Sequence, residues 1–206
     1  MSGSSTLLAA LAGRRSYYAL RRESPIPDSK IQSILNQIVL QTPSAFNSQT
    51  TRILVLLKQE HDKLWDIVKD SLLTRIGAER YQKTAPKIDG FRAAYGTVLF
   101  YEDQTVVADH KAKFASYAEH FEAWSEQTSG MHQLIAWTAL ETEGFGANLQ
   151  HYNPIIDDKV ASTFEVPAQW KLRAQLVFGV PEGGPPPPKE KKPLDELIRV
   201  VGNDSN

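Results

Sequence analysis

The spacing of hydrophobic residues along the chain predicts several amphipathic helices. Apolar residues recur every three or four positions in these stretches, which places them on one side of a helix. Ile31, Ile34, Leu35 and Ile38 are one such set, lying between two prolines that limit the helix. On this pattern we predict helices over residues 5–13, 28–42, 60–76, 106–126, 130–144 and 157–163.

Shorter runs rich in branched and aromatic residues predict strands between these helices. The runs cover residues 52–58, 95–101, 171–178 and 194–201. Residues 80–90 and 143–154 contain polar residues and helix breakers, so we interpret them as connections. Without an internal repeat, this order predicts a single α+β domain over residues 1–206. Within it, residues 182–206 form a proline-rich tether and C-terminal extension.

Composition narrows the class of protein. The chain has 206 residues, of which 41% are hydrophobic and 23% charged, as expected of a globular domain. A formal net charge of -1 argues against a nucleic-acid-binding surface, and charged residues interrupt every apolar stretch before it could span a membrane. The absence of cysteine excludes disulfides and thiol nucleophiles. We expect a cytoplasmic protein and leave the nucleus open as a second compartment.

Two basic clusters are candidates for binding a phosphate group. Arg14 and Arg15 precede Ser16 near the start of the chain, and Lys189 and Lys191 follow a run of four prolines near its end. A guanidinium fork can bond two phosphate oxygens, and a hydroxyl can add a further contact. Alternatively, the arginines only follow a helix end, and the lysines only solubilise a tail.

Ser44, Asn47 and Gln49 form a compact group of hydroxyl and amide side chains after Pro43. Amides offer both donors and acceptors, which suits the polar edge of a flat heterocycle or a ribityl chain. The alternative is a turn in which these side chains bond the local backbone.

The segment that follows the fifth predicted helix contains Gln150, His151 and Tyr152 after two glycines. Such a segment could place backbone N–H groups against a flat cofactor, although an ordinary helix exit is the simpler interpretation. We find no metal-ligand spacing around the histidines and neither glycine-rich phosphate motif. Side chains would therefore have to hold any phosphate.

Taken in order, these motifs resemble those of the FMN-dependent nitroreductase family, and in particular a small fungal and bacterial subgroup. The resemblance rests on Arg14-Arg15-Ser16, Pro43-Ser44-x-x-Asn47-Ser48-Gln49, the run Leu149-Gln150-His151-Tyr152-Asn153-Pro154 and Lys189-x-Lys191-x-Pro193. It implies a three-layer α+β fold with a central antiparallel sheet flanked by helices. It also implies a homodimer with two FMN sites at the interface, in which residues 194–201 add a strand to the partner subunit.

The resemblance also implies roles for individual residues. Arg14, Arg15, Ser16, Lys189 and Lys191 would hold the phosphate and ribityl chain of FMN. Ser44, Asn47 and Gln49 would come from the partner subunit, and Leu149, Gln150, His151 and Tyr152 would line the ring. Phe46 and Tyr152 would form aromatic walls for the substrate. Tyr18 would also contact the cofactor, at a position where many relatives have arginine or lysine.

The activity implied is an oxidoreductase that takes hydride from NADH or NADPH and reduces nitroaromatics or quinones by a ping-pong mechanism. The flavin would carry the chemistry, so no catalytic side chain or metal is expected. One alternative is a flavin-binding regulatory or stress-response protein with low turnover, which Tyr18 favours. Another is a cofactor-free interaction protein that uses its proline run as a ligand.

Overall fold

A computed structural model describes residues 3–202 and contains one sheet between two layers of helices. The strands are β1 (Leu20–Arg21), β2 (Thr51–Leu57), β3 (Gly96–Asp103), β4 (Gly146–Gln150) and β5 (Trp170–Pro181). The helices are α1 (Gly3–Gly13), α2 (Asp28–Gln41), α3 (Gln59–Ile76), α4 (Ala78–Arg92), α5 (Gln104–Lys113), α6 (Phe121–Thr142), α7 (Asp157–Phe164) and α8 (Leu194–Leu197). Residues 203–206, the end of the predicted extension, lie outside the described part.

Strand β5 organises the sheet, because β1, β3 and β4 all pair with it and β2 pairs with β3. All of these pairs are antiparallel. In the register of the two central strands, Val98 lies opposite Leu176 and Leu99 lies opposite Gln175. The sheet is therefore antiparallel throughout, as the resemblance implied.

Each face of the sheet is covered by its own hydrophobic core. Along β3, Val98 and Phe100 belong to a core with residues of α2 and α6. Leu99 and Tyr101 belong to a second core with residues of α3, α4 and α7. Successive strand residues point to opposite faces, so one strand serves both cores. This arrangement confirms the predicted three-layer α+β fold.

Most of the predicted helices are present, and they bury the predicted side. In α2, the buried residues are Ile31, Leu35 and Ile38, three of the four that predicted it. Helix α3 buries Leu64, Trp65 and Val68 in the same way. The predictions for residues 5–13 and 157–163 are likewise confirmed by α1 and α7.

The interpretation of residues 80–90 as a connection is wrong, because α4 runs through them. Tyr81, Ile88 and Phe91 lie on its buried side and pack in the core that contains α3. Pro86 lies inside the helix but on its exposed side. The carbonyl group that loses its helical partner there can bond water, which makes the proline tolerable.

The predicted boundary between the fourth and fifth helices is also misplaced. Helix α6 is continuous through Gly130, and the real break is at Phe114, whose backbone is non-helical. A short 3₁₀ turn, Ala115–His120, joins α5 to α6. The ring of Phe114 packs 4.6 Å from the ring of Phe46, so a tertiary contact rather than a helix breaker accompanies the break.

The interpretation of residues 143–154 as a connection is wrong at β4, whose short sequence Gly-Ala-Asn-Leu-Gln contains none of the β-branched or aromatic residues that favour strands. This strand is almost wholly buried between β5 and the segment around Tyr17. A side chain at Gly146 would lie 2.8 Å from Tyr17 and 2.9 Å from Pro181. The side chains of Tyr17 and Pro181 therefore leave room only for glycine at this position.

The strand predicted over residues 194–201 is wrong for the single chain. Leu194–Leu197 forms one helical turn, and none of the described residues after it belongs to a strand. The apolar side chains there are exposed, from 59% for Leu197 to 85% for Val201. A strand needs a neighbour for its hydrogen bonds, and this segment pairs with no strand of its own subunit within residues 3–202.

A buried polar network supports the core between α3 and β3. His61 is fully buried, with Nε2 3.0 Å from the carbonyl oxygen of Phe91 and Nδ1 2.9 Å from the Thr97 hydroxyl. The same hydroxyl accepts a hydrogen bond from the indole N–H of Trp65 at 3.1 Å. These contacts fit a neutral imidazole that donates through Nε2 and accepts through Nδ1. Burial lowers the pKa of His61 from 6.5 to about 4.

We expect His61 to make the fold sensitive to mild acid. The unfolded chain binds a proton on this residue near pH 6.5, whereas the folded chain resists it until about pH 4, so acid favours unfolding across that window. Between about pH 7 and pH 5 the free energy of unfolding should fall by about 2 kcal/mol for this reason. Urea denaturation at several pH values measures it. The His61→Gln variant, which keeps a donor near Phe91, should lack that part of the fall, and an identical pH slope in both proteins would contradict the assignment.

Candidate cofactor-binding site

The two basic clusters that are far apart in sequence meet at one open pocket of about 710 Å³. Arg14, Arg15 and Ser16 line one side, and the segment from Pro186 to Lys191 lines the other. The lining residues include four cations, counting Lys189 and Lys191, and no acidic residue. Such a set of donors and charges suits a phosphate group. The proline run thus places the lysines opposite the arginines.

The Arg14–Ser16 turn is fixed by strand β4. Ser16 forms a β-bridge with Ala147, and the Tyr17 N–H donates to the Ala147 carbonyl at 2.9 Å. The side-chain amide of Asn148 donates to the Tyr17 carbonyl at 2.6 Å. The turn therefore depends on the strand that sequence patterns missed.

Helix α6 contacts the same turn from beside the pocket. The Arg14 guanidinium lies 4.3 Å above the centre of the Trp137 indole ring. The backbone N–H of Arg15 donates to Glu141 Oε2 at 2.9 Å, and the Trp137 indole N–H donates to Oε1 of the same carboxylate at 2.7 Å. Burial raises the pKa of Glu141, although these two N–H donors oppose the rise. Neither α6 residue was a candidate in the sequence, because nothing local connects them to Arg14.

Arg15 folds back towards the end of α1. Its Nη1 donates to the carbonyl groups of Ala12 and Arg14, so part of its fork caps the helix terminus. A cation is favourable there because the last carbonyl groups of a helix carry partial negative charge. Tyr18, the other candidate of this segment, lines the pocket and is 54% exposed.

The Ser44–Gln49 loop contains unusual backbone geometry. Phe46, Asn47 and Gln49 all have positive φ angles between 50° and 55°, which L-amino acids rarely adopt. The loop is fixed by the Ser44 hydroxyl, which accepts from the Gln49 N–H at 2.9 Å, and by Arg52, which donates to the Gln49 carbonyl at 2.7 Å. Part of the predicted polar group thus supports its own backbone, in line with the turn interpretation. Strained backbone of this kind is often found at functional sites.

Phe46 is the centre of an aromatic cluster. Its ring centroid lies between 4.6 and 5.7 Å from those of Phe114, Tyr117, Phe121 and Trp124. Phe46 is nevertheless 47% exposed, so one side of its ring remains open. The cluster therefore offers a flat apolar surface beside the amide loop.

The amide loop and the basic pocket lie at opposite ends of α6. Trp124 contacts the loop, and Trp137 contacts the Arg14 turn. The offset of thirteen residues between these tryptophans corresponds to about 20 Å along a helix. A single chain therefore does not bring Ser44, Asn47 and Gln49 to the same ligand as the arginines.

The remaining predicted residues lie at the end of β4. Leu149 and Gln150 belong to the strand, and the Gln150 amide donates to Asn148 Oδ1 at 2.8 Å. His151 is exposed. The ring of Tyr152 packs against Trp65 at 5.6 Å and Phe91 at 6.5 Å, and burial raises its pKa to about 12. The ring of Tyr152 therefore packs mainly against the hydrophobic core and not on an open surface.

Residues 3–202 contain neither a metal-binding cluster nor a membrane-spanning helix. Within that range no group of three or more histidine and acidic side chains is placed to hold a metal ion. No helix of the same range is long and apolar enough to cross a membrane.

Comparison with known proteins adds independent information. The model of the nitroreductase family matches residues 11–180. The protein named "Putative nitroreductase HBN1" of Saccharomyces cerevisiae is 39% identical over 97% of this chain and 99% of its own. Nitroreductase CinD from Lactococcus lactis, solved with chloramphenicol, has a TM-score of 0.85 and 43% identity over 95% of this chain and all of its own.

Two further structures bear on ligands. CinD has also been solved with 4-nitrophenol. A Desulfovibrio desulfuricans protein solved in complex with FMN has a TM-score of 0.66, covering 95% of this chain and 96% of its own. At 19% identity, that second similarity concerns the fold alone.

Proposed function

Since the chain belongs to the nitroreductase family, a family of oxidoreductases, we propose that it is an FMN-dependent enzyme that reduces nitroaromatics or quinones. NADH or NADPH supplies the electrons, and donor and acceptor use one pocket in turn in a ping-pong cycle. The observation that carries the proposal is the convergence of Arg14, Arg15, Lys189 and Lys191 on one pocket. A cytoplasmic location is part of the proposal, because reduced nicotinamides are abundant there.

The residues of the basic pocket fit the phosphate end of FMN. A phosphate monoester carries a charge of about -2 near neutral pH and has three acceptor oxygens. Four cations and the Ser16 hydroxyl offer it charge and donors, and the lining contains no carboxylate that would compete. Leu149, Gln150 and His151, at the end of β4, would line the ring, the role that the family resemblance implies for them. When bound, FMN supplies the hydride chemistry, and the protein holds and orients it.

The aromatic cluster around Phe46 suits flat acceptors. An exposed ring in a cluster of five can stack on a nitroaromatic or a quinone without a specific hydrogen bond. CinD, a relative of this chain, has been solved with 4-nitrophenol and with chloramphenicol. Both are small aromatic ligands, which supports this interpretation of the cluster. We assign the acceptor wall to Phe46. Tyr152 remains a candidate wall only if its ring turns away from Trp65.

The separation of the two half-sites along α6 supports a homodimer. If a second copy packs antiparallel along α6, the amide loop of one subunit lies near the arginines of the other. Met131, Leu134 and Ile135 lie along α6 between the two ends and are 38–45% exposed, so they offer an apolar surface for such packing. Each cofactor would then contact both subunits.

The C-terminal segment supports the same assembly. An open groove of about 840 Å³ runs between α2 and strand β2 and is lined by apolar residues such as Ile53, Val55 and Leu35. The exposed Leu194, Ile198 and Val200 would be buried if this segment lay in the partner's groove. Because β2 is at the edge of the described sheet, its outer backbone groups could bond an added strand there. The segment would thus form its strand only in the dimer.

Absorption spectroscopy tests the proposed cofactor and activity. We expect the purified protein to carry a yellow flavin that anaerobic NADH or NADPH bleaches and that 4-nitrophenol or a quinone then reoxidises. A colourless protein that binds no added FMN would refute the proposal. Bleaching without reoxidation by any acceptor would refute the reductase activity alone.

A second candidate function is a flavin-binding regulatory protein with low turnover. Tyr18 favours it, because an exposed neutral ring lines the pocket where many relatives have a cation. A nearby positive charge stabilises the reduced flavin anion, and its absence makes reduction less favourable. Normal FMN binding with negligible reduction by either nicotinamide would favour this function.

We expect Tyr18→Arg to raise the reduction potential of the bound flavin and to speed its reduction by NADH or NADPH. The reason is that the new cation would stabilise the anionic reduced ring. Anaerobic redox titration measures the potential, and Tyr18→Phe is the neutral control that should leave it unchanged. A potential that is the same in all three proteins would place Tyr18 away from the ring.

We expect Ile198→Asp to weaken the dimer about tenfold or more, since burying an isoleucine contributes about 1.5–3 kcal/mol. Flavin retention should fall with it, because half of each site comes from the partner. Sedimentation velocity over a concentration series measures the association. Lys83→Asp, a charge change at an exposed position of α4, is the control. An unchanged dimer would contradict the proposed place of the segment.

A further inference from the structure

Helix α6 supports the Arg14–Ser16 turn through an unusual arrangement of charges. Glu141 lies beside two arginines, and a carboxylate in that position would ordinarily pair with them. Instead, its two oxygens accept from neutral N–H groups, those of the Arg15 backbone and the Trp137 indole. Among residues 3–202, no lysine or arginine side chain forms a salt bridge with Glu141. Neither guanidinium therefore pairs directly with this carboxylate, although the charge of Arg14 is close enough to lower the pKa of Glu141 against the effect of burial.

Trp137 contributes in two ways. Its indole N–H occupies Oε1 of Glu141, the residue one helical turn away, at 2.7 Å. Its ring face lies 4.3 Å from the Arg14 guanidinium, a cation–π contact that holds this group beside the helix. The arginine is thus held by a ring, which leaves its N–H edges available to an anion.

We propose that Trp137 and Glu141 are positioning residues that hold the Arg14–Arg15 turn in the geometry that accepts the flavin phosphate. This rests on the proposed function, and it assigns a role to two residues outside the recognised motifs. Glu141 fixes the turn through the backbone N–H of Arg15. Trp137 contacts the Arg14 guanidinium and occupies the carboxylate oxygen that could otherwise pair with it directly. The effect should therefore concern the phosphate and not the flavin ring.

A carboxylate is needed at position 141 because both of its partners are donors. In Glu141→Gln, the single amide oxygen can accept from only one side, and the amide NH₂ must face the other N–H group. If Trp137 is also replaced by phenylalanine, the second donor disappears and the remaining amide oxygen at position 141 can accept from the Arg15 N–H. The double variant should therefore bind better than Glu141→Gln alone.

The experiment compares the dissociation constants of FMN and riboflavin, which lacks the phosphate, by flavin fluorescence with the full-length protein. We expect Glu141→Gln to weaken FMN about tenfold, equivalent to about 1.4 kcal/mol, and to change riboflavin less than about twofold. Trp137→Phe should also weaken FMN selectively, because Oε1 becomes free to pair with Arg14. The double variant should recover part of the loss. Glu143→Gln, on the same helix end, is the control and should bind as wild type does.

Three outcomes would overturn the proposal. Equal losses for FMN and riboflavin would mean that the two residues only support the fold, and unchanged FMN binding would mean that they have no such role. Additive losses in the double variant would contradict the shared carboxylate. If Glu141→Gln does not fold, the test is the ratio of the FMN and riboflavin dissociation constants of Trp137→Phe compared with wild type. A wild-type protein that binds neither flavin would refute the proposed function itself, which distinguishes the two failures.

Discussion

The pairing of β5 with three other strands is the constraint on which the structure depends. This single strand of twelve residues joins β3 and the rest of the sheet on one side to β4 and β1 on the other. Strand β4 in turn bonds the backbone of Ser16 and Tyr17. Immediately after β5, the chain turns into the proline run that lines the basic pocket. Both sides of the pocket are therefore positioned from one strand, which keeps them together despite their distance in sequence.

Helix α6 is the second element on which the arrangement of the candidate site depends. One end contacts the aromatic cluster through Phe121 and Trp124, and the other contacts the Arg14 turn through Trp137 and Glu141. Its length separates a region suited to flat apolar ligands from a region suited to anions. The separation of these two regions along α6 is the basis of our proposal that a second copy of the chain completes the site.

The sequence was most informative where a structure depends on local pattern. The amphipathic α2 and α3 follow from the spacing of their own apolar residues, and β3 follows from its aromatic and branched content. Strand β4 could not be found this way, because its identity depends on β5 and on the glycine contact with Tyr17. The break at Phe114 likewise depends on Phe46, which is distant in sequence.

The same distinction applies to the site. The arginines, lysines and amide loop carry recognisable motifs, and the structure brings the arginines and lysines together. Trp137 and Glu141 carry none, since the contact of Trp137 with Arg14 and the hydrogen bond from Arg15 to Glu141 join segments more than 120 residues apart. The strand expected over residues 194–201 failed for another reason: within the described chain it has no partner strand.

The basic pocket has one more consequence, for the stability of the protein. Extended prolines resist compaction, so the tether keeps Lys189 and Lys191 facing Arg14 and Arg15. Like charges held close together repel one another, and Glu141, which lies beside the arginines, is a single carboxylate against four cations. A bound anion would attract all four cationic side chains and so offset the repulsion between them. Occupancy of the pocket should therefore stabilise the whole protein as well as fill a site.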